Sequence, residues 1–304
     1  MAERFAARAT GIQHVQVRTA KELAAELPRA DVLVVSMMWR NELADAAVKL
    51  RFIQSISAGV DHYGKDLLRT RGIRLASAAG VNAQAVAEHA MAMILALRRH
   101  LHTGRDNQAA RHWRGMISDI AAREDQLGGK TLLIVGLGRI GLRLAHLAKA
   151  FDMRVVATKR EASAVPADVD AVHGHERLHE LLGSADVVAL TCPLTPATEN
   201  LIDAAALAAM KPSAHLINVA RGKVVDEDAL IGALSARRIA AAGLDVTREE
   251  PLPASSPLWA MPNVLLTPHV AGETQRYEDG VIDILLENLE RLWRGEAALR
   301  NEIV

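Results

Sequence analysis

Residues 132–141 read LLIVGLGRIG: an apolar run that meets the turn Gly136-Leu137-Gly138-Arg139-Ile140-Gly141 directly, with a helical pattern from Leu142 to Phe151 behind it. This arrangement constrains the fold more than any other stretch of the chain. Gly136 permits a tight strand-to-helix turn, Gly138 lets a phosphate come close to the backbone, and Gly141 lets the new helix lie against the sheet with its amides facing an anion. Glycine turns of this spacing also serve plain structural corners. Here a second apolar run, Met153–Thr158, supplies the next strand, and the pattern predicts a site for the pyrophosphate of a nicotinamide or flavin dinucleotide.

The βα rhythm continues on both sides of that turn. Thr131–Val135, Val155–Thr158, Val187–Leu190, His215–Val219, Ala241–Asp245 and Val264–Thr267 read as six buried parallel strands of a doubly wound sheet. Before it, Asp31–Ser36, Phe52–Ser55 and Arg74–Ala76 read as strands, with helices at Ala20–Leu27 and Asn41–Leu50. Ala83–His100 is apolar on nearly every side and reads as an interdomain helix, and Thr274–Trp293 as a long amphipathic helix that returns to the first layer. The fold class is therefore α/β, with two Rossmann-like domains of parallel sheet, the cofactor domain inserted into the substrate domain. The expected division is 1–98 and 275–304 for the substrate domain, and 99–274 for the nucleotide domain. A polar arm over about 104–126 carries Trp113.

Composition narrows the partners. In 304 residues, Lys plus Arg and Asp plus Glu each number 36, so no global charge recruits nucleic acid or an anionic membrane. The single cysteine, Cys192, excludes an internal disulfide and a thiolate metal cluster, fits a reducing compartment, and reads as a buried strand-end residue. The opening MAERFAARATG has no signal-type apolar segment, and the longest apolar run, Ala90–Leu97, is too short for a bilayer, so a cytoplasmic protein without a metal is expected.

At the end of the second nucleotide-domain strand, where simple NAD sites carry an acidic residue, stand Lys159 and Arg160. A basic pair attracts a 2'-phosphate, which favours NADP(H) while leaving NAD possible. Glu161 follows the pair and leaves its register open by a residue or two. Arg221, Glu250 and His269 stand at the ends of three late strands, the ends from which an open α/β sheet reaches its crevice. An arginine fork suits the carboxylate and keto oxygens of a 2-oxo acid. A histidine supplies the proton that the developing alkoxide needs, and a carboxylate beside it keeps the imidazole oriented.

The segments GLGRIG, CPLTPATENLID, MKPSAHLINVARGKVVDEDAL, GLDVTREEPLP and LTPHVAG together resemble the D-isomer-specific 2-hydroxyacid dehydrogenase family, on its glyoxylate/hydroxypyruvate reductase-like, NADP-preferring side. The resemblance covers about 52–290. It implies hydride transfer between a nicotinamide and a 2-oxo acid, with Arg221 binding substrate, His269 as acid/base and Glu250 as its partner. It implies Asp245 near the nicotinamide carboxamide, and further cofactor contacts from Cys192, Pro193, Thr198, Val219, Ala220 and Gly272. Ser57-Ala58-Gly59-Val60 resembles the substrate loop, whose amides receive the carboxylate, and Asn82, Glu88 and His89 resemble the opening of the interdomain helix. A homodimer formed through the 104–126 arm is implied as well.

Two features depart from the pattern. The family opens with a clear βαβ unit, whereas here the first strand signal, His14–Val17, runs straight into a helix, so the first domain is expected to lack its opening strand. Met37, Met38 and Trp39 form a bulky group that would wall the substrate's R-group, with a core role for the methionines as the competing assignment. Rival functions are a formate or phosphite dehydrogenase, which resembles this chain but for a glutamine in place of Glu250, a non-enzymatic NAD(P)H-sensing corepressor, and a homocysteine-nucleoside hydrolase with tightly held NAD.

Overall fold

The computed structural model describes residues 1–304 apart from 121–122 and 161–164. Its chain divides into two compact units, Met1–Asn82 with Glu273–Val304, and Ala83–Gly272. Both are α/β with parallel sheets.

The larger unit is built on seven parallel strands: β4 (Thr131–Val135), β5 (Arg154–Thr158), β6 (Ala171–His173), β7 (Val187–Leu190), β8 (His215–Asn218), β9 (Ala241–Leu244) and β10 (Val264–Leu266), ordered β10-β9-β8-β7-β4-β5-β6. β4, β7, β8 and β9 are buried almost throughout, which is why they read as unbroken apolar runs rather than alternating ones. The chain leaves β4 toward β5 on one side and later returns to β7 on the other, so the order reverses beside β4. That reversal is the switch point where such sheets open a crevice. Sequence reading finds six of these strands. It misses β6, three half-buried residues in a Gly- and His-containing stretch too short to carry a pattern.

Helix α4 (Ala83–Arg98) packs on β8, β9 and α6 (Arg139–Lys149), so it belongs to the nucleotide unit and the boundary falls after Asn82, not after residue 98. The expected run to His100 is broken there: His100 takes a left-handed backbone, φ 51°, and a separate helix α5 follows at Leu101–Ala109. The first part of the expected arm is therefore helical, and Ala121 and Ala122 within it lie outside the described residues.

The smaller unit has a three-stranded parallel sheet in the order β1 (Val32–Val35), β2 (Phe52–Ser55), β3 (Arg74–Ala76). Helix α1 (Ala2–Ala6) lies on α10 (Tyr277–Trp293), and Phe5, Phe52, Ile282, Leu285 and Leu289 form the core between sheet and helix. The edge of β3 is covered by the chain's last residues, with Leu75 and Ser77 donating to the carbonyls of Val304 and Asn301 at 2.9 and 3.0 Å. The His14–Val17 signal forms no strand, which leaves β1 as the terminal strand. An open cleft of about 1500 Å³ runs along it, lined by Ile12–Val17, β1 and the apolar face of α10. Helix α2 (Ala20–Glu26) begins in a capping box of Thr19 and Glu22. The helix expected at Asn41–Leu50 is instead a short 3-10 turn, Asn41–Asp45. Its Asn41 side-chain oxygen, Oδ1, accepts from the Gly64 amide at 2.8 Å and from Trp39 Nε1 at 3.3 Å, so the side chain that would cap a helix is committed to tertiary contacts.

Candidate active site

The glycine turn shows why each glycine stands where it does. Gly136 has φ 101°, and a Cβ there would lie 2.7 Å from the Cys192 backbone. A Cβ on Gly141 would lie 2.7 Å from the Gly136 carbonyl oxygen. Both positions are closed by backbone, whereas a Cβ on Gly138 would meet nothing within 4 Å. The open side of the turn thus lies at the glycine next to the start of α6. The first-turn amides of Arg139, Ile140 and Gly141 belong to the group that a helix cannot satisfy internally. These features fit a dinucleotide pyrophosphate. The amides of Gly136 and Leu137 donate to the Thr158 carbonyl at 3.1 and 3.2 Å, which ties the turn to the end of β5, where Lys159 and Arg160 follow. Glu161 lies outside the described residues.

Cys192 is buried, and burial pushes its thiol up to about 11, so it stays neutral and its contribution to the turn is its backbone. Thr198 gives its hydroxyl proton to the Pro193 carbonyl at 2.6 Å and accepts from the Thr195 amide at 2.8 Å, so it holds the loop after β7 in shape. Val219 and Ala220 are buried just past β8, and Gly272 is the last residue of this unit.

Arg221 follows them. Its backbone is fixed by Asn218, whose amide nitrogen donates to the Arg221 carbonyl and whose oxygen accepts from the Ala220 amide, both at 3.0 Å. The guanidinium spends Nη1 on the Ala220 carbonyl at 2.7 Å and keeps the rest of its donor fork. The next residue has to be glycine, because a Cβ on Gly222 would lie 1.9 Å from the Thr247 carbonyl oxygen. This close passage lays the Arg221 loop against the turn that carries Glu250.

Within that turn Glu250 accepts from the Thr247 amide through Oε1 at 3.2 Å and meets His269 Nδ1 through Oε2 at 2.7 Å. The carboxylate is thus fixed from behind and presents its other oxygen to the imidazole, and both side chains remain part exposed. His269 sits in the left-handed region at φ 55°, a conformation that costs a non-glycine residue about 1–2 kcal/mol. Asp245, 2% exposed, offsets that cost. Its backbone carbonyl accepts from the His269 amide at 2.8 Å, and its carboxylate accepts from Thr267 Oγ1 at 2.6 Å and from the Val270 and Ala271 amides at 3.0 Å. The structure therefore brings Glu250 and His269 into direct contact and passes the Arg221 loop against the Glu250 turn. Thr267, which sequence reading does not single out, links Asp245 to His89, and its only signal is its place two residues before His269.

In the smaller unit the substrate-loop candidates follow β2. The Ser57 amide is taken by Ser55 Oγ at 3.1 Å, and its hydroxyl pairs with that of Ser36, so Ser57 does not present a free backbone donor. Among the described residues no partner is found for the amides of Ala58, Gly59 and Val60, although the Val60 side chain is buried. Trp39 is not a pocket wall: it is 1% exposed and stacks on Tyr63 at 6.2 Å between ring centroids, as the core of this unit. Met38 packs against the same core, while Met37 is exposed. Among the described residues no group of His, Cys, Asp and Glu is placed to hold a metal, and no helix is long and apolar enough to cross a membrane.

Residues 91–271 match the profile described as D-isomer specific 2-hydroxyacid dehydrogenase, NAD binding domain. The chain is 35% identical to glyoxylate reductase of Pyrococcus furiosus over 283 residues, which is 91% of this chain and 83% of that one. Among solved structures it resembles an NADPH-dependent glyoxylate/hydroxypyruvate reductase from Sinorhizobium meliloti in complex with NADP and malonate, at 27% identity and TM-score 0.81, over 99% of this chain and 93% of that one. It also resembles an NAD-dependent formate dehydrogenase from Staphylococcus aureus in complex with NAD, at 27% identity and TM-score 0.81, over 100% and 91%. Fold, glycine turn and sequence agree, and the chain belongs to the D-isomer specific 2-hydroxyacid dehydrogenase family, oxidoreductases that exchange a hydride between NAD(P)(H) and a 2-oxo acid/2-hydroxy acid pair.

Proposed function

We propose that the protein is an NADPH-preferring reductase of small 2-oxo acids of the glyoxylate and hydroxypyruvate type, with His269 as the proton donor. The contact of His269 Nδ1 with Glu250 Oε2 at 2.7 Å carries this reading. With Nδ1 engaged, Nε2 is the ring nitrogen left to face a substrate, and the carboxylate keeps the imidazole in that orientation. A reduced nicotinamide, when bound, supplies the hydride. Arg221 receives the carboxylate and keto oxygens and stabilises the negative charge that develops on the latter, which His269 then protonates through Nε2. Taken by itself, the loop of the smaller unit offers the amides of Ala58, Gly59 and Val60, donors of a kind that suits a carboxylate. Asp245, at the carboxyl end of β9, suits the nicotinamide side of the switch point. The preference for NADPH rests on Lys159 and Arg160 beside the turn, where a 2'-phosphate gains two cations and meets no carboxylate from this pair.

The same reading takes the protein to be a cytoplasmic homodimer joined through the arm. Trp113, Met116 and Ile120 are 96%, 90% and 77% exposed, more apolar surface than a short stretch of monomer ordinarily leaves to water. Light scattering of the purified protein at twice the chain mass supports this assignment, and a monomer at working concentration refutes it.

The deciding experiment is a steady-state assay with NADPH and NADH against 2-oxo acids from glyoxylate to phenylpyruvate, for the wild type and for H269A, R221K and K159A/R160A. H269A is expected to lose ~10²-fold or more in kcat. R221K is expected to lose kcat/KM, since a point charge does not reproduce the fork. K159A/R160A is expected to raise KM for NADPH and leave that for NADH unchanged. Equal effects on both cofactors refute the assignment of the basic pair. Tight cofactor binding with no turnover of any 2-oxo acid favours the sensor reading instead.

A further inference from the structure

His89 lies on α4, in the same unit as His269 but on neither of the loops that carry the Arg221, Glu250 and His269 side chains. Its Nε2 is 2.9 Å from Thr267 Oγ1, which is in turn 2.6 Å from Asp245 Oδ1. The proton inventory of this chain of contacts fixes its direction. An ionised carboxylate only accepts, so the single hydroxyl proton of Thr267 goes to Asp245, and the hydroxyl oxygen accepts from His89 Nε2–H. His89 Nε2 also lies 3.6 Å from Asp245 Oδ1, and among the described residues it is the only basic group that close to this buried carboxylate.

Asp245 in turn holds the segment that carries His269. Thr267, Val270 and Ala271 donate to its side chain and His269 to its backbone carbonyl, across a residue with φ 55° that the chain does not adopt unaided. Thr267 is the member of this set that donates from a rotatable side chain: turned away, it leaves Asp245 one donor short. The bond from His89 at 2.9 Å adds a second partner that suits the rotamer aimed at Asp245.

We propose that His89 is a positioning residue for His269, acting through Thr267 and Asp245. The proposal rests on the assignment of His269 as the proton donor, and it assigns to α4 a part in setting the acid/base geometry that its place in the core does not by itself require. The neighbouring Glu88 is turned to solvent and accepts from Gln84 at 2.7 Å, so it has no part in this relay.

The test uses H89L, which removes the donor, H89Q, which keeps an N–H donor on a side chain of similar reach, T267V, and the H89L/T267V double variant. H89L and T267V are each expected to lower kcat ~10-fold, the scale of a slightly misplaced catalytic group, with KM for NADPH within twofold of wild type. H89Q is expected to recover most of the loss, and the double variant to be no worse than either single one. In the same proteins the NMR titration midpoint of the His269 imidazole is expected to move in H89L and T267V and to return in H89Q. Unchanged kcat and midpoint in T267V, or losses that multiply in the double variant, overturn the relay, and T267V with H89Q decides the matter if H89L does not fold. If wild type reduces no 2-oxo acid, the proton-donor assignment fails on its own, while the His269 titration still decides whether His89 positions it.

Discussion

The two units hold their working parts in different ways. In Ala83–Gly272 the tight turns are set by backbone pressed on backbone, Gly136 against Cys192, Gly141 against Gly136 and Gly222 against Thr247, and side chains such as Asn218 and Asp245 hold the loops beyond them. In the unit formed by Met1–Asn82 and Glu273–Val304 a sheet of three strands is held by side chains reaching across the chain, as Asn288 to Gln54 and Arg74 to Glu302. Backbone contact tolerates almost no substitution but leaves a short, local signature. Side-chain bridges between distant residues tolerate more and leave hardly any.

The sharpest way to break this contrast is to fill the glycines one at a time. G136A places a methyl group into the Cys192 backbone and forces alanine to φ 101°. The expected loss is about 3–4 kcal/mol of stability from backbone strain and overlap together, read as a lower urea midpoint, together with loss of NADPH binding. G138A meets no protein atom within 4 Å, so its urea midpoint is expected to match wild type while its Kd for NADPH rises ~10-fold, because the methyl group takes space that the pyrophosphate needs. If G138A lowers stability as much as G136A, the open side of the turn is not where the geometry places it.

The same contrast explains what the sequence reveals and what it hides. β4, β7, β8 and β9 are legible because buried parallel strands must be apolar throughout. The Arg221, Glu250 and His269 positions are legible because each follows the end of a late strand. Thr267 and its bond to His89 are not, since 178 residues separate the partners and neither departs from an ordinary buried helix or loop pattern. Asn41 illustrates the limit for helices: its local sequence suits a helix start, and two tertiary donors claim its oxygen. Trp39 illustrates the limit for pockets, because a large side chain after a strand suits a wall or a core equally until its partner Tyr63 is known.

In the smaller unit the corresponding test is Asn288, a fully buried polar residue on α10. Its Nδ2 donates to Gln54 Oε1 at 3.3 Å and to the Arg300 carbonyl at 3.1 Å, and its Oδ1 accepts from the Arg300 amide at 2.7 Å. N288A strands the buried Gln54 oxygen and both Arg300 backbone groups. The expected cost is about 2–3 kcal/mol, with faster hydrogen exchange in β2 and the C-terminal residues and a Kd for NADPH within twofold of wild type. Equal loss of cofactor affinity contradicts the view that the two units are held by separate means.

The last test separates the two ends of the nucleotide-domain sheet. Asn218, at the carboxyl end of β8, orders the Arg221 loop, while His215, at the other end of the same strand, is buried with no partner for Nδ1 among the described groups. Burial first, and then the charges of Arg98, His100 and His102, hold its pKa down to about 3, from 6.5. Well above pH 6.5 His215 is neutral folded or unfolded and contributes no pH dependence. As the pH falls from 6.5 toward 3 the unfolded chain takes up a proton that the folded chain refuses, so stability is lost on acidification, by about 1.4 kcal/mol per pH unit at most. H215L is therefore expected to flatten the pH dependence of the unfolding free energy between pH 6 and 4 relative to wild type, with kcat at neutral pH unchanged. An identical slope in the two proteins means that His215 is protonated while folded, and that the amino end of the sheet admits a charge where its burial argues against one.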